Sequence, residues 1–191
     1  MTTSCPQIDQ YLRLPETLTD GVVRLDGHTV ADAEAHWLGE DDEMRRRFEA
    51  PRRATLNETR AAMQRWIDAR AAGGPMFAYA LRLPSGVLIG GCEIRRLSPD
   101  RASVSYWTFP RFRGSGYAAL ALALLSDAAE ATPGLDRIEA HVDEDNLASR
   151  ATAVKAGYVE SGLVVDESDL GPPLTRMLYV RRIHRAPVAS S

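Results

Sequence analysis

The sequence predicts one mixed α/β domain of the α+β type, in which helices flank a mixed, mostly antiparallel sheet of about seven strands. Strand-like segments fill most of the first half of the chain, and helices alternate with strands in the second half. The 191 residues suit a single core, and no repeat or linker divides them. We place the domain at residues 19–184 and expect residues 1–18 and 185–191 to be loosely ordered.

The composition is that of an ordinary soluble protein, with 45% hydrophobic and 26% charged residues. A net charge of −3 gives no basic field that would recruit nucleic acid. No apolar run approaches the roughly 20 residues that cross a bilayer, and residues 1–10 lack the features of a secretion signal. The two cysteines have no metal-ligand spacing. We therefore expect a cytoplasmic protein with no nucleic-acid or membrane partner and no metal.

The first half of the chain predicts a strand, two helices and a hairpin. Residues 21–27 alternate as in a short strand, and Thr29-Val-Ala-Asp32 fits a loose capping box at the start of a helix. Met63, Trp66 and Ile67 repeat at helical spacing within a second helix over 57–72, which Gly73-Gly74 ends. Residues 77–83 and 87–97 flank the turn residues Pro84-Ser85-Gly86 and predict a hairpin.

The second half predicts strands and helices in alternation. SVSYWTF (103–109) reads as a strand, and the helix that follows residue 116 is ended by Pro133-Gly134. Residues 137–143 predict the next strand, and residues 146–157 a short helix with Asn146 as its cap and Gly157 as its end. Residues 161–166 and 176–183 predict two final strands.

RFRGSGYA (111–118) joins a strand to a helix and indicates a close approach of backbone to a ligand, most simply a phosphate. A Walker-type loop is excluded, because no Gly-x-x-x-x-Gly-Lys-Ser/Thr string occurs. Gly114, Gly116 and Ala119 fit a dinucleotide fingerprint, with Glu139 20 residues beyond Ala119. A preceding hairpin disfavours that reading, because the fingerprint normally follows the first strand of a βαβ unit. A plain tight turn is the third alternative.

The residues from Arg113 to Ala118 resemble the pyrophosphate signature of the GNAT acetyltransferases, Arg/Gln-x-x-Gly-x-Gly/Ala. YWTFPRFRGSGYA is similar to the strand-Pro-loop-helix block of that family, and RIEAHVDEDNLASRATAVKAGYVESG to its second block. The resemblance covers about 21–182 and is most specific over 104–162. It is closest to the branch of ribosomal-protein alanine and serine N-acetyltransferases. It implies a sheet that splays between the family's fourth and fifth strands.

The resemblance implies that acetyl-CoA is the acyl donor and that the Gly-rich turn holds its diphosphate. Helix electrostatics support a diphosphate at this position, because unpaired N–H groups and about half a positive charge at a helix N-terminus attract an anion. Backbone N–H groups near Trp107 and Thr108 would polarise the thioester carbonyl. The cofactor-binding residues implied are Trp107, Thr108, Phe109, Arg111, Arg113, Gly114, Ser115, Gly116, Tyr117, Ala118, Asn146 and Ser149.

Two familiar catalytic side chains of the family are absent here. Ser103 lies near the position of a common glutamate, and Ala153 takes the place of a common tyrosine that protonates the thiolate. His141 is the candidate base, although it is equally a surface histidine of a strand. Ser149 is the candidate hydrogen-bond donor to sulfur, or it merely supports the helix start. Asn146 either contacts the pantetheine arm or is only a helix cap.

The predicted reaction moves an acetyl group directly to a primary amine. A site without a glutamate base suits a weakly basic acceptor, such as a peptide α-amine or an amino acid. The acidic runs at Glu40–Glu43 and Asp143–Asp145 leave open a polycationic small molecule, of polyamine or aminoglycoside type. A catalytically silent acyl-CoA-binding protein is a further alternative. The sequence leaves open whether the chain forms a homodimer.

Overall fold

The computed structural model describes residues 12–166 and 173–183. All eight strands belong to one sheet in the order β1-β2-β3-β4-β5-β6-β8-β7. The strands are β1 (Leu18–Thr19), β2 (Arg24–Gly27), β3 (Met76–Arg82), β4 (Leu88–Ser98), β5 (Arg101–Thr108), β6 (Arg137–Val142), β7 (Val159–Asp166) and β8 (Leu174–Arg182). The helices are α1 (Asp32–Gly39), α2 (Asp42–Arg47), α3 (Leu56–Ala71), α4 (Tyr117–Ala129) and α5 (Leu147–Lys155).

The sheet is covered on both faces. The larger core lies between the sheet and α4, whose Ala121, Leu122 and Leu125 are fully buried. A smaller core on the opposite face joins Met44 of α2 to Trp107 of β5 and the residues around it. Because alternate residues of a strand point to opposite faces, β5 contributes to both cores. Val104 packs in the larger core and Trp107 in the smaller one.

The parallel pair β5–β6 interrupts an otherwise antiparallel sheet. Its register runs from Arg101↔Arg137 to Val104↔Ala140, although β5 continues to Thr108 and β6 to Val142. The two strands therefore diverge beyond Val104, as expected for the predicted splay. Because β1 adds one strand at the start of the chain, the strands that correspond to the family's fourth and fifth are numbered β5 and β6 here.

The predicted mixed, mostly antiparallel fold is confirmed, with eight strands instead of about seven. The additional strand, β1, begins at Leu18, the last residue of the segment that we expected to be loose. Two contacts attach residues 12–18 to the domain, since Leu12 is 4% exposed and the Pro15 carbonyl accepts a hydrogen bond from Tyr79 Oη at 2.6 Å. Residues 1–11 and 184–191 lie outside the described residues. Among the described residues, no helix is long and apolar enough to cross a bilayer.

Helix starts differ from the predictions for identifiable reasons. Thr29 does contact Asp32, through an N–H···O bond of 2.7 Å, but α1 begins only at Asp32, whose carboxylate also pairs with Arg82. α3 begins at Leu56 behind a full capping box formed by Thr55 and Glu58, which the sequence reading missed. The sequence reading also missed α2, which has only 6 residues.

Gly90 permits the close pairing of β4 with β5. A Cβ built at Gly90 would lie 2.2 Å from the Trp107 carbonyl oxygen and 2.9 Å from the Thr108 Cα, both backbone atoms that cannot rotate away. We therefore expect Gly90→Ala to destabilise the fold by about 2 kcal/mol, as overpacked sites do, when measured by urea unfolding. Gly27→Ala is the matched control, because its Cβ would meet Arg70 at an ordinary 3.5 Å. Equal stability of the two variants would contradict this account of Gly90.

Candidate active site

One large cavity, of about 1790 Å³, opens where β5 and β6 diverge. Its wall runs from the β5–α4 turn along β5 to α5, and α2 and α3 close the opposite side. The predicted site residues that line it are Trp107, Thr108, Arg113, Gly114, Ser115, Gly116, Tyr117, Ala118, His141, Asn146 and Ser149. The structure thus brings most of the predicted residues together, although they come from three elements far apart in the sequence.

Two predicted residues do not line the cavity. Phe109 is 5% exposed and packs in the smaller core, and its N–H donates to the Ile89 carbonyl at 2.9 Å. A Cβ at Gly39 would lie 2.6 Å from the Phe109 ring, so that glycine makes room for it. Arg111 lies in the short 3-10 turn of residues 110–112, outside the set of residues that line the cavity. Phe109 lies two residues after Trp107 on the same face of the extended chain and therefore packs beside it in the smaller core.

The Gly-rich turn forms an open helix N-terminus. Gly114 and Gly116 have φ values of 75° and 81°, which favour glycine, and Gly116 caps α4 without a side-chain hydrogen bond. The first N–H groups of a helix have no partner within the helix, so those of α4 face the cavity uncapped. This geometry is suited to an anion.

Two cationic side chains lie beside this turn. Lys155, the single lysine of the chain, lies on α5 with its Nζ 3.0 Å from the position of a Cβ at Gly116. The sequence reading missed it, because only the fold brings α5 beside the turn. Arg113 instead pairs with Asp41 through two bonds of 2.7 Å, and this guanidinium lowers the pKa of Asp41.

A pair of hydroxyl groups lies where β5 leaves β6. The Tyr106 hydroxyl is 2.9 Å from Ser149 Oγ and 3.0 Å from the Ser149 carbonyl oxygen. Burial raises the pKa of Tyr106 to about 12, so the phenol stays protonated. Asn146 caps α5, because its Oδ1 accepts a hydrogen bond from the Ser149 N–H at 3.1 Å, and this bond fixes the backbone of Ser149. The sequence reading missed Tyr106, whose partner lies 43 residues away.

Both ring nitrogens of His141 contact carboxylates. Nδ1 is 3.0 Å from Asp166 and Nε2 is 3.3 Å from Glu139. Glu139 is 4% exposed at its side chain, and hydrogen bonds from Arg137 and His141 lower its pKa against the opposing effect of burial. Each ring nitrogen of His141 therefore lies against a carboxylate that a substrate amine would have to displace to reach it.

Arginines form ion pairs with the acidic residues that frame the cavity. Arg47 reaches from α2 to Asp143 at 2.9 Å and to Asp145, whose pKa falls to about 2. Arg176 reaches Asp143 at 3.0 Å and Asp166 at 2.9 Å. In the run 40–43, Glu40 and Asp42 pair with Arg45, Asp41 with Arg113, and Glu43 with Arg46 and Arg47. Ion pairs thus engage most carboxylates of the two acidic runs, although these carboxylates outnumber the arginines that pair with them.

An aromatic cluster forms part of the cavity wall through His36, Trp66 and Trp107. Its other members are His28 and Phe109. The rings of His28 and Trp66 lie 4.8 Å apart, and those of His36 and Trp107 lie 5.8 Å apart. Burial lowers the pKa of His28 to about 3 and that of His36 to about 4. Both histidines are therefore neutral members of the cluster at neutral pH.

The lowered pKa of His28 makes the fold sensitive to mild acid. The unfolded chain binds a proton below pH 6.5 and the folded chain does not, so this contribution is complete above pH 6.5 and is lost as the pH falls towards 3. We expect wild type to lose about 2 kcal/mol more than His28→Phe between pH 7 and pH 5, as measured by urea unfolding. Parallel losses in the two proteins would contradict the burial of a neutral His28.

The comparisons with known proteins agree with this geometry. Residues 23–159 match the acetyltransferase (GNAT) domain family. No curated protein sequence matches the chain. Mycobacterium smegmatis RimJ, solved with a CoA disulfide, is similar at 22% identity and a TM-score of 0.68, over 90% of this chain and 85% of that one.

Two further solved structures are similar in fold. RimL, a ribosomal L7/L12 α-N-protein acetyltransferase solved with coenzyme A, has 20% identity and a TM-score of 0.68, over 89% of this chain and 97% of that one. The aminoglycoside acetyltransferase AAC(6′)-Ib, also solved with coenzyme A, has 17% identity and a TM-score of 0.67, over 84% and 94%. Below 25% identity these structures support the fold alone. The family match, which spans most of the chain, establishes that this protein belongs to the GNAT acetyltransferase family.

Proposed function

We propose that the protein transfers the acetyl group of acetyl-CoA directly to the α-amine of a peptide or an amino acid. The observation that carries the proposal is the free edge of β5, which leads from the uncapped N-terminus of α4 to the hydroxyl pair of Tyr106 and Ser149. Acetyl-CoA bound along this edge would have its diphosphate at the N-terminus of α4 and its sulfur near the hydroxyl groups of Tyr106 and Ser149.

Charge and backbone geometry would hold the cofactor. The N–H groups at Gly116, Tyr117 and Ala118 and the Lys155 ammonium would bind the diphosphate. The backbone of β5 beyond Val104 would pair with the amide groups of the pantetheine arm, as an added strand pairs with a sheet edge. Arg113 would join the diphosphate only by leaving Asp41.

Transfer requires a hydrogen bond to the departing sulfur. The Tyr106 hydroxyl has one proton, which the Ser149 carbonyl oxygen accepts at 3.0 Å. When Tyr106 turns this proton to Ser149 Oγ instead, the Ser149 hydroxyl proton is free to point into the cavity. A phenol of pKa about 12 would not fully protonate a thiolate of pKa near 8.5, but it would strengthen the bond that Ser149 donates. We propose this pair in the role of the tyrosine that Ala153 replaces.

The acceptor preference follows from the protonation of amines and from the paired acidic runs. Neutralising an α-amine of pKa near 8 at pH 7 costs about 1.4 kcal/mol, whereas a lysine-type amine near 10.4 costs about 4.6 kcal/mol. Ion pairs with Arg47 make Asp143 and Asp145 less available to a polycationic acceptor. Both points support an α-amine over a polyamine or an aminoglycoside.

The cytoplasmic location and a homodimer are further proposals. Val159, Leu163 and Val165 expose apolar side chains along β7 at the edge of the sheet, which would suit a second copy of the chain.

The acceptor proposal is tested with a panel of amines. We expect thiol release from acetyl-CoA to be fastest with dipeptides that have a free α-amine, and at least about 10-fold slower with Nα-blocked lysine, spermidine or an aminoglycoside. Mass spectrometry of the products identifies the acetylated nitrogen. Preferred turnover of lysine side chains or spermidine would contradict the α-amine preference. Thermal stabilisation by CoA without turnover of any amine would instead identify a silent acyl-CoA-binding protein.

The role of the hydroxyl pair is tested by removing one oxygen at a time. We expect Tyr106→Phe and Ser149→Ala each to lower kcat by about 10- to 100-fold with little change in the KM for acetyl-CoA, since the bond to sulfur strengthens only as charge develops. The double variant should be little worse than Ser149→Ala, because Tyr106 acts through Ser149. Independent, multiplicative losses would contradict this coupling, and Thr152→Ala on the same helix is the control.

A further inference from the structure

We propose that Glu93 is the general base that takes the proton from the acceptor ammonium. This inference rests on the proposed function and names a base other than His141, whose two ring nitrogens each lie against a carboxylate. It concerns a residue of β4, the strand beside β5, which the sequence reading did not single out.

The sheet register places Glu93 beside the part of β5 that lines the cavity. Glu93 pairs with Ser105, and the next pair along the same face in one direction is Arg95 with Ser103. In the other direction that face continues to Gly91 opposite Trp107. Along this face, Ser103 and Trp107 each lie two residues from Ser105, the partner of Glu93. The family often has a glutamate near the position of Ser103, and the thioester carbonyl would lie near Trp107. A carboxylate missing from β5 is thus available from the adjacent strand.

The surroundings of Glu93 leave one carboxylate oxygen available. Its side chain is 16% exposed and lines the cavity, and Arg95 donates to Oε1 at 3.2 Å. Oε2 has no hydrogen-bond partner among the described residues. Burial raises the pKa of Glu93 above its ordinary value, with Arg95 opposing that effect. A carboxylate with a raised pKa is a better proton acceptor for an ammonium.

The strands beside β4 place uncharged residues opposite Glu93. On β3 its pair is Ala78, and on β5 it is Ser105. The helices around the cavity contribute the neutral His36 and charged residues of both signs, which are Glu43, Arg45, Arg47, Glu58, Arg65 and Lys155. Arg95 on its own strand is the charged group that influences its pKa.

The other carboxylates of the cavity are less suited to the role. Arginines engage Glu43, Glu49, Glu58, Asp143, Asp145 and Asp166 through ion pairs of short length. Such pairing stabilises the charged form and makes a carboxylate a weaker base. For Glu43, Glu58 and Asp145 the pKa is lowered, whereas for Glu93 it is raised.

The proposed step conserves protons and electrons. The acceptor ammonium gives a proton to Glu93 Oε2, and the freed nitrogen lone pair forms the new N–C bond with the acetyl carbonyl carbon. The C–S bond breaks, and its electron pair stays on sulfur, which accepts the hydrogen bond from Ser149. The amide nitrogen loses its second proton, sulfur takes up one proton, and Glu93 releases its proton to water. The sum is ammonium plus thioester giving amide, thiol and one proton.

The test compares Glu93→Gln with wild type on acceptors of graded basicity. Alanyl dipeptides with no fluorine to three fluorine atoms on the alanine methyl group keep a similar shape while the α-amine pKa falls stepwise. We expect Glu93→Gln to lower kcat/KM at least about 100-fold for the unsubstituted dipeptide and only a few-fold for the trifluoro dipeptide, whose amine is already neutral. Glu49→Gln, which alters a cavity carboxylate paired with Arg176, should leave the whole series within about 3-fold of wild type.

A loss of equal size for every dipeptide, or no loss, would overturn the base role of Glu93. Glu93→Ala provides a second route if the glutamine variant does not fold, because added formate should restore its turnover by 10-fold or more and should not affect wild type. Absence of rescue in a folded Glu93→Ala protein would also overturn the inference. If wild type itself acetylates none of the dipeptides, the proposed function fails and this inference fails with it, whereas wild-type turnover with a flat series overturns Glu93 alone.

Discussion

The end of backbone pairing between β5 and β6 is the constraint on which the site depends. The two strands pair in parallel from Arg101↔Arg137 to Val104↔Ala140 and then diverge, which leaves the last residues of β5 with an unpaired edge. Exposed N–H and C=O groups at a sheet edge favour an added extended chain. The same divergence opens the cavity towards the N-terminus of α4 on one side and towards α5 on the other. An elongated ligand with one anionic end fits this arrangement.

Electrostatics divides the cavity into regions with different chemistry. The uncapped start of α4 and Lys155 make one end attractive to an anion. Around the rest, ion pairs between arginines and carboxylates such as Arg47–Asp143 and Arg176–Asp166 tie α2, β6, β7 and β8 together. Partly buried pairs of this kind fix geometry more than they stabilise the fold. Glu93 differs from these carboxylates because burial dominates its surroundings and leaves it a stronger base.

Local features of the site were predictable from the sequence, and long-range contacts were not. The glycines of the turn, the start of α4 and the Asn146 cap follow from residue type and spacing over a few positions, and the structure has all three. The pairing of Arg113 with Asp41 joins residues 72 positions apart, and the contact of Tyr106 with Ser149 joins residues 43 apart. The position of Glu93 depends on sheet register, which no short segment determines. Phe109 lies outside the cavity because it shares a face with Trp107, two residues earlier, and packs in the smaller core.

The central claim is that the N-terminus of α4, with Lys155, binds the diphosphate of the acyl donor. Isothermal titration calorimetry of the full-length protein tests it most directly, by comparing the Kd values of four compounds. These are coenzyme A, 3′-dephospho-CoA, 4′-phosphopantetheine, and pantetheine, which lacks the diphosphate and the nucleotide. The account predicts that 3′-dephospho-CoA, which keeps the diphosphate, binds nearly as tightly as coenzyme A. Pantetheine and 4′-phosphopantetheine should bind at least about 100-fold more weakly. Equal affinities across the four compounds, or no binding of coenzyme A, would contradict the claim.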